Sequence, residues 1–408
     1  MGVQFDGMIF DDSYRNTDWN ANWESEVSIN ENGWIVEMRI PFSVLRFSNE
    51  EEITMGMNLN RFIYRKNELA SWIVYERGKS GISSKYGHIL GISGLEGGMK
   101  HLTVTPYVTN GIFSFDNNHL LSAQDNQALK INKINNDSES RIGIDIKYLI
   151  TPYIVNDITL NPDYGQIEAD PADINLTYYE TYFVEKRPFF MENSTLFDTP
   201  IELFYSRRIG TNRKYVLGDW QEKENSIVKY AGKLTGKTNK GLSFGMITAV
   251  TNDNYSSWKE FKSNSNFFIG RITQDIFGGN SYFGLMSTIY NDSSRTNYVN
   301  SIDMLSYLWG NQLVFDWQIL HSKNSKTESS LDFSDSNKQP GIGFSFEMTY
   351  NPSNSNLYGF IDVEYLDKKL NVNDIGFLPR NNIKKINGGL GLYWPELEMF
   401  IPILDARL

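Results

Sequence analysis

Hydrophobic and polar residues alternate along several stretches of the chain after residue 139. In the run 341–350 every second side chain is apolar, and small or polar side chains lie between them. The runs 140–150, 313–319 and 357–365 follow the same pattern, with Val314 as an exception. A period of two is that of a β-strand with one apolar face. The runs are roughly 9 to 11 residues long, the length of a strand that crosses a bilayer at a tilt.

The connections between these runs alternate between short and long. Short connections lie at 237–241, 278–280 and 309–311, and long ones at 252–264 and 322–339. An up-and-down membrane barrel has tight turns at one rim and exposed loops at the other. The pattern therefore predicts an all-β chain in which residues 99–408 form an antiparallel, up-and-down transmembrane β-barrel. The alternative is a large soluble β-protein, because alternation alone does not identify what covers the apolar face.

The polar faces of the predicted strands carry charges of both signs. In a membrane barrel the side chains opposite the lipid line the interior. We therefore expect a wet lumen of mixed charge, and the side chains predicted to line it are Asp145, Lys147, Arg271, Asp316, Glu347, Asp362 and Glu364.

Residues 1–98 hold shorter strand-like runs that are separated by turn residues. The clearest turn is Asn30-Glu31-Asn32-Gly33, because Asn and Gly accept a positive φ. Four glycines between residues 91 and 98 favour a domain boundary near residue 98. The pattern predicts a separate antiparallel β domain ahead of the barrel.

Tryptophans in this first domain are candidates for ligand binding. Flat aromatic faces bind the apolar face of a sugar ring, while nearby polar groups hold its hydroxyls. Trp19 and Trp23 lie in a polar run and are the better candidates. Trp72 lies in a short apolar run, which leaves ligand binding and a core position both open. Trp34 lies inside a clean strand pattern, and we expect it in a core.

Residues 161–200 interrupt the hairpin pattern as an irregular insert. Asp173 or Asn175 could cap a short helix that runs to about Glu185 and ends before Pro188, since the residue before a proline disfavours helix. The acids of this insert that could serve as a catalytic pair are Glu168, Asp170, Glu180, Glu185 and Glu192.

Two interpretations of these acids remain open. Two carboxylates on either side of a sugar bond would make a glycosidase, but nothing in the sequence fixes an acid and a base opposite one another. The favoured interpretation is ion pairing in a loop that folds into the lumen or caps a rim. The cations available for that pairing are Lys186, Arg187, Arg207 and Arg208.

Composition removes several other functions. The net charge of −11 would repel nucleic-acid phosphates. The chain has no cysteine, which excludes disulfides and thiolate chemistry. A mean hydropathy of −0.41 excludes helical membrane spans, whereas a barrel needs apolar residues at only every second position. We expect no cofactor, with calcium at acidic runs such as Glu50-Glu51-Glu52 as a weak alternative.

The segment Asp18-Trp19-Asn20-Ala21-Asn22-Trp23-Glu24, followed by Gly33-Trp34-Ile35-Val36-Glu37-Met38-Arg39-Ile40-Pro41-Phe42, resembles the C-terminal half of a family 9 carbohydrate-binding module. Four later motifs resemble an uncharacterised bacterial family, domain of unknown function 5916, in which this module precedes a predicted outer-membrane barrel. They are Asn161–Pro171, Phe183–Phe190, Phe204–Gly210 and Asp374–Arg380.

The resemblance implies a partial carbohydrate-binding β-sandwich at residues 1–98, followed by an incomplete outer-membrane barrel in a diderm bacterium. It also implies that the chain is an internal piece whose signal sequence lies outside it. The partners it implies are a carbohydrate ligand, outer-membrane lipid and the barrel assembly machinery. We therefore expect a cell-surface protein that captures or passes oligosaccharides. The alternatives are a membrane-associated glycoside hydrolase and an envelope assembly barrel that transports nothing.

Overall fold

The fold was analysed in a computed structural model. It describes residues 2–10, 14–16, 23–31, 33–42, 45, 51–73, 82–94, 102–115, 135–151, 153–163, 177, 179–210, 213–216, 219–222, 225–238, 240–255, 261–277, 281–292, 295–326, 340–352 and 356–392. The predicted boundary near residue 98 lies outside these residues. Among them, no helix is long and apolar enough to cross a membrane.

The chain is nearly all β, as predicted. Its first part forms four two-stranded antiparallel sheets, which pair β1 with β2, β3 with β4, β5 with β8 and β6 with β7. The predicted turn joins β3 to β4, where Asn30 pairs with Gly33. The strands are β1 Met8–Phe10, β2 Tyr14–Asn16, β3 Glu24–Asn30, β4 Gly33–Arg39, β5 Glu52–Met57, β6 Asn60–Ile63, β7 Glu68–Ser71 and β8 Gly87–Ser93.

The expected core position of Trp34 is wrong. Its side chain is 57% exposed, and its cross-strand partner Ile29 is also exposed. The period-two pattern predicts the strand correctly, but burial also requires a second layer that packs on the apolar face. The exposure of Trp34 and Ile29 shows that no such layer closes over this face within the described part of residues 1–98.

The second part forms one antiparallel sheet of twelve strands. Neighbours in the sheet are neighbours in the chain, apart from a small hairpin of β12 and β13 between β11 and β14. The edge strands are β9 and β22. The strands are β9 Leu102–Phe115, β10 Asn135–Thr151, β11 Ile154–Leu160, β12 Arg213–Val216, β13 Asp219–Glu222, β14 Asn225–Lys237, β15 Leu242–Tyr255, β16 Phe261–Ile276, β17 Ser281–Asn291, β18 Arg295–Leu308, β19 Leu313–Lys326, β20 Gly341–Tyr350, β21 Leu357–Leu366 and β22 Ile383–Leu392.

Several strands extend beyond their apolar runs. β15, β18 and β19 have 14 residues and β16 has 16. The predicted long connection at 252–264 is mostly strand, and only 256–260 separates β15 from β16. Strand pairing rests on backbone hydrogen bonds, so it continues through polar residues that the hydrophobic pattern assigns to a loop.

The two faces of the large sheet differ in chemistry. Residues directly opposite each other across a ladder share a face. We call the face that bears Ile247, Ile269 and Arg271 the covered face and its opposite the apolar face. Exposed large side chains of the apolar face include Ile142, Tyr230, Met246, Ile272, Leu285, Tyr298, Ile302, Ile319, Ile342 and Ile386.

Two stretches of chain lie against the covered face. The first inner segment is residues 179–210 and the second inner segment is residues 367–382. Both contribute to one hydrophobic cluster with the covered face of the sheet. Its members include Phe190, Phe197, Ile201, Leu203, Ile209, Ile247, Ile269, Met286, Val299, Leu320, Leu370 and Ile375. The core of the protein therefore lies between the sheet and its own inner segments.

The helix expected to end before Pro188 is wrong for the described residues of that stretch. Residues 179–187 are not helical, and α1, Pro188–Met191, begins at the proline. Proline at the first helical position has no N–H to leave unsatisfied and its φ already suits a helix. The expected caps Asp173 and Asn175 lie outside the described residues.

Candidate functional site

The family-like motifs meet where the two inner segments touch. The Tyr205 N–H donates to the Ile375 carbonyl at 2.8 Å, and the Phe377 N–H donates to the Glu202 carbonyl at 3.0 Å. One segment thus pairs with the other by backbone hydrogen bonds, although about 170 residues separate them. The site is assembled by tertiary folding, so no single stretch of the sequence contains all of its residues.

Arg187 holds the first inner segment in its bent path. Its guanidinium donates to Glu185 at 2.8 and 2.6 Å and to the carbonyls of Ser206 and Ile209 at 2.6 Å each. Burial raises the pKa of Glu185, but the hydrogen bonds and charge of Arg187, with a hydrogen bond from Ser206, outweigh it and lower the pKa. Glu185 is therefore an ionised anchor.

Arg208 joins the two inner segments. Its guanidinium donates to both oxygens of Glu180 at 2.7 and 2.5 Å, and its Nε donates to the Gly376 carbonyl at 3.0 Å. The same guanidinium lies 5.5 Å from the ring centre of Tyr205 and 5.9 Å from that of Phe377. A planar cation with five donors suits such a junction of carboxylate, carbonyl and aromatic groups.

A buried lysine fixes the first inner segment to the sheet. The Lys233 ammonium donates to the carbonyls of Phe189 at 2.5 Å and Glu192 at 2.8 Å, and lies 3.6 Å from the Asp157 carboxylate. Beside it, the Lys147 ammonium donates to both carboxylate oxygens of Glu192 at 2.5 and 2.6 Å. These contacts hold α1 and the residues after it against β10, β11 and β14.

Further contacts fix the middle of the first inner segment. A side chain on Gly245 would begin 2.6 Å from the ring of Phe197, so a glycine is needed for this close approach. The Ile201 N–H donates to Gln318 Oε1 at 2.6 Å. The segment is thereby bound to β15 and to β19, on opposite sides of the buried Arg271.

Asp374 binds the second inner segment to β18. It accepts hydrogen bonds from Arg295, from Asn297 at 2.9 Å and from Asn371 at 3.2 Å. The Asn371 N–H in turn donates to the Ser322 hydroxyl at 3.0 Å. Every carboxylate–cation and amide contact here is buried or nearly so, which makes each one costly to break.

An aromatic group with one acid lies at the junction of the two inner segments. The rings of Tyr182 and Tyr205 are 4.8 Å apart and tilted by 31°, and Phe377 meets Tyr182 edge-on at 5.0 Å. The Tyr182 hydroxyl donates to Glu202 Oε1 at 3.1 Å. Burial raises the pKa of Glu202 to about 7. The hydrogen bond from Tyr182 lowers this pKa, and the negative charge of Asp198 raises it further.

The sequence analysis missed Tyr182 and Glu202. A signal for Glu202 exists, since it is the one acid in the apolar run Ile201–Tyr205. Tyr182 carries no comparable signal, because the two rings that support it come from positions 205 and 377.

Of the predicted catalytic acids, the structure describes Glu180, Glu185 and Glu192, and each of them is ion-paired with a cation. Glu168 and Asp170 lie outside the described residues. Glu185 is bound to Arg187, and Glu192 to Lys147, as in the ion-pairing interpretation. Of the cations expected as partners, Arg187 pairs with Glu185 and Arg208 with Glu180, and Arg207 lies 3.9 Å from Glu185.

The strand register places all seven predicted lumen charges on the covered face. Arg271 is buried and paired with Asp303, Lys147 is paired with Glu192, and Asp145 is exposed. The remaining acids cluster on β19, β20 and β21, where Glu347 lies directly between Asp316 and Asp362 and Glu364 follows nearby.

The predicted sugar-binding tryptophans lie apart from this site in the sequence. Trp19 lies outside the described residues. Trp23 is half-buried, and its indole N–H donates to Asp6 at 3.3 Å. Trp72 is exposed, as is Trp34, over which the guanidinium of Arg61 lies at 5.5 Å. A groove of about 660 Å³ borders Trp34.

No group of three or more His, Asp or Glu side chains suited to a metal ion occurs within the residues that the structure describes. Curated proteins and solved structures yield no match to the chain. Residues 102–394, from the first strand of the large sheet to just past its last, match the family described as Domain of unknown function (DUF5916). The chain therefore belongs to this family of unknown function.

Proposed function

We propose that this chain is part of an outer-membrane β-barrel protein of a diderm bacterium that captures or passes oligosaccharides at the cell surface. The membrane assignment rests on two adjacent residues of β16, of which the charged one is buried and the apolar one is exposed. Arg271 is 2% exposed on the covered face, whereas Ile272 is 51% exposed on the apolar face. Water would favour the opposite arrangement.

The same arrangement, with polar side chains buried and apolar side chains exposed, extends across the sheet. Buried polar residues of the covered face include Asp157, Thr159, Lys233, Thr235, Thr288, Ser301, Asp303 and Gln318. The exposed apolar side chains of the opposite face come from β9 to β11 and from β14 to β22. A contiguous apolar surface of this extent indicates a contact with lipid or protein. An outer-membrane barrel has this arrangement, with alternate residues toward lipid and toward the interior.

The inner segments bear on how such a barrel would work. They lie across the covered face and are tied to it by Lys233, Gln318 and Asp374. Chain that lies inside a barrel narrows the water-filled path through it. We therefore propose that the protein mainly captures the oligosaccharide. Passage would require the inner segments to move, or would take place alongside them.

The carbohydrate part rests on the module-like motifs and on exposed aromatic residues. Trp34 and Trp72 present indole rings to solvent in the first domain, and Arg61 adds a donor-rich cation next to Trp34. Trp23 keeps a partly exposed ring, although its N–H is already bound to Asp6. Ring faces with nearby donors are the groups that saccharides require.

The hydrolase alternative receives less support. A general acid needs a raised pKa and a base opposite it, whereas Glu185 has a lowered pKa and Glu192 is bound to Lys147. We therefore propose no catalytic pair. The assembly-barrel alternative shares the membrane location and differs in binding no soluble sugar.

Two experiments test the proposed function. The full chain, expressed with an outer-membrane signal, is fractionated and run unheated and heated on a gel. Sedimentation with the outer membrane and a heat-dependent shift are expected, and a soluble protein with no shift would contradict the barrel. The detergent-solubilised protein is then applied to a glycan array. Binding is expected, with a loss in Trp23→Ala if Trp23 stacks on the sugar, and an array without any binding would reject the carbohydrate role.

A further inference from the structure

Tyr182 is an exposed aromatic ring on a rigid support. Its side chain is 49% exposed, whereas Tyr205 and Phe377 behind it are 5% and 9% exposed. The ring of Tyr205 lies 4.8 Å from it at a tilt of 31°, and Phe377 contacts it edge-on at 5.0 Å. The support is itself fixed, since the Tyr205 hydroxyl donates to the Phe183 carbonyl and accepts from the Phe183 N–H, each at 3.0 Å.

The Tyr182 hydroxyl is also fixed. It donates to Glu202 Oε1 at 3.1 Å. The backbone of Glu202 is held by its carbonyl, which accepts from the Phe377 N–H at 3.0 Å. Ring, hydroxyl and carboxylate therefore have one arrangement before any ligand arrives, which lowers the entropy cost of binding.

Packing alone does not account for this exposure. A tyrosine that served only to fill the junction would be buried as Tyr205 and Phe377 are, because burial of an aromatic ring is what stabilises a core. The hydrogen bond to Glu202 also leaves half of the Tyr182 surface in solvent. The arrangement instead suits a ligand that has an apolar face and hydroxyl groups at its edge.

We propose that Tyr182 and Glu202 form a saccharide-binding site at the junction of the inner segments. A pyranose ring stacks on the exposed face of Tyr182, and one of its hydroxyls donates to the Glu202 carboxylate. This inference rests on the proposed function and names a site for it within the DUF5916 region, apart from the tryptophans of the first domain. It also places the bound sugar on the inner segments, which would have to move if the sugar passed through the barrel.

The test uses the full chain in detergent micelles and the best-binding oligosaccharide of the glycan array. Its affinity is measured by isothermal titration for the wild type, Tyr182→Ala, Tyr182→Phe and Glu202→Gln. Tyr182→Ala is expected to weaken binding at least about tenfold, the loss of roughly 1.4 kcal/mol of contact. Tyr182→Phe keeps the ring and is expected to remain within about threefold of wild type, which corresponds to roughly 0.7 kcal/mol. The titrations are run at about pH 8, above the raised pKa of Glu202. Glu202→Gln is expected to weaken binding severalfold there, because the acceptor loses its charge.

The outcomes separate this site from the proposed function. Wild-type binding that persists in Tyr182→Ala and Glu202→Gln overturns the site and leaves a carbohydrate protein that binds elsewhere. An array with no wild-type binding rejects the carbohydrate function itself. Heat-dependent gel mobility establishes that each variant is folded. If Tyr182→Ala fails to fold, Glu202→Gln decides the matter, and unchanged affinity in that variant overturns the proposal.

Discussion

Arg271 and Asp303 form a two-pronged ion pair across an intervening strand. Arg271 lies on β16 and Asp303 on β18, and their two contacts measure 2.9 and 2.6 Å. Both side chains are buried on the covered face. Gly284 on β17 lies directly opposite Asp303, and its missing side chain leaves room for the pair. The pair thus joins β16 to β18 across β17.

Removal of one partner should be costly. Asp303→Ala leaves the Arg271 guanidinium buried without its anion, and we expect a loss of about 3–5 kcal/mol in the free energy of unfolding. The matched control is Asp362→Ala, which breaks the more exposed Lys385–Asp362 pair of 2.7 Å on the same face and should cost far less, because solvent screens this pair. Guanidinium unfolding in detergent measures both, and equal losses would contradict the account.

The glycine between the partners should be sensitive to a methyl group. A Cβ on Gly284 would lie 2.7 and 2.9 Å from the two carboxylate oxygens of Asp303. We expect Gly284→Ala to destabilise the protein by about 1–3 kcal/mol. Gly232→Ala is the control, because its Cβ would lie 3.5 Å from Thr248 Oγ1, an ordinary contact.

A double-mutant cycle shows whether Gly284 acts through the pair. In an Asp303→Ala background the oxygens that crowd the new methyl group are gone, so most of the cost of Gly284→Ala should disappear. A cost that stays the same in both backgrounds would mean that Gly284 matters for another reason.

Glu202 makes stability depend on pH in a predictable direction. Its pKa is raised from 4.5 to about 7, so the folded protein binds a proton that the unfolded chain releases between these values. Folding stability should therefore fall as pH rises through this range. Glu202→Gln cannot titrate and keeps an acceptor for Tyr182. Above pH 7 its free energy of unfolding should exceed that of wild type by about 1 kcal/mol, a value discounted for partial exposure. Below pH 4.5 the two proteins should be equally stable.

The measurement for Glu202 is guanidinium unfolding of wild type and Glu202→Gln at a series of pH values. The difference between the two proteins isolates this carboxyl from the other acids. A constant difference across the series would show that Glu202 titrates at its ordinary pKa.

The local parts of the fold were predictable from sequence. The alternation in 341–350 predicts strand β20, and the turn residues around Gly310 predict the tight connection to β19, where Trp309, Gly310 and Asn311 all have positive φ. Both features depend only on neighbouring residues, because a strand's period and a turn's φ are local properties.

The site depends on contacts between distant residues. Arg208 meets the carbonyl of Gly376, 168 positions away, and no local pattern reports such a pair. The sequence predicts a helix that ends before Pro188, whereas a different short helix, α1, begins at this proline, because proline suits the first helical turn as well as a stop. Trp34 was expected in a core because a strand pattern cannot show whether another layer covers it.

The most direct test asks what touches the apolar face. The chain contains no cysteine, so Ile272→Cys and Leu69→Cys each give a unique attachment point for bimane. Both parent side chains are exposed, but Leu69 belongs to the first domain. After reconstitution into vesicles, brominated lipid should quench bimane at position 272 and leave position 69 bright. Equal fluorescence at the two positions would contradict a lipid-facing sheet.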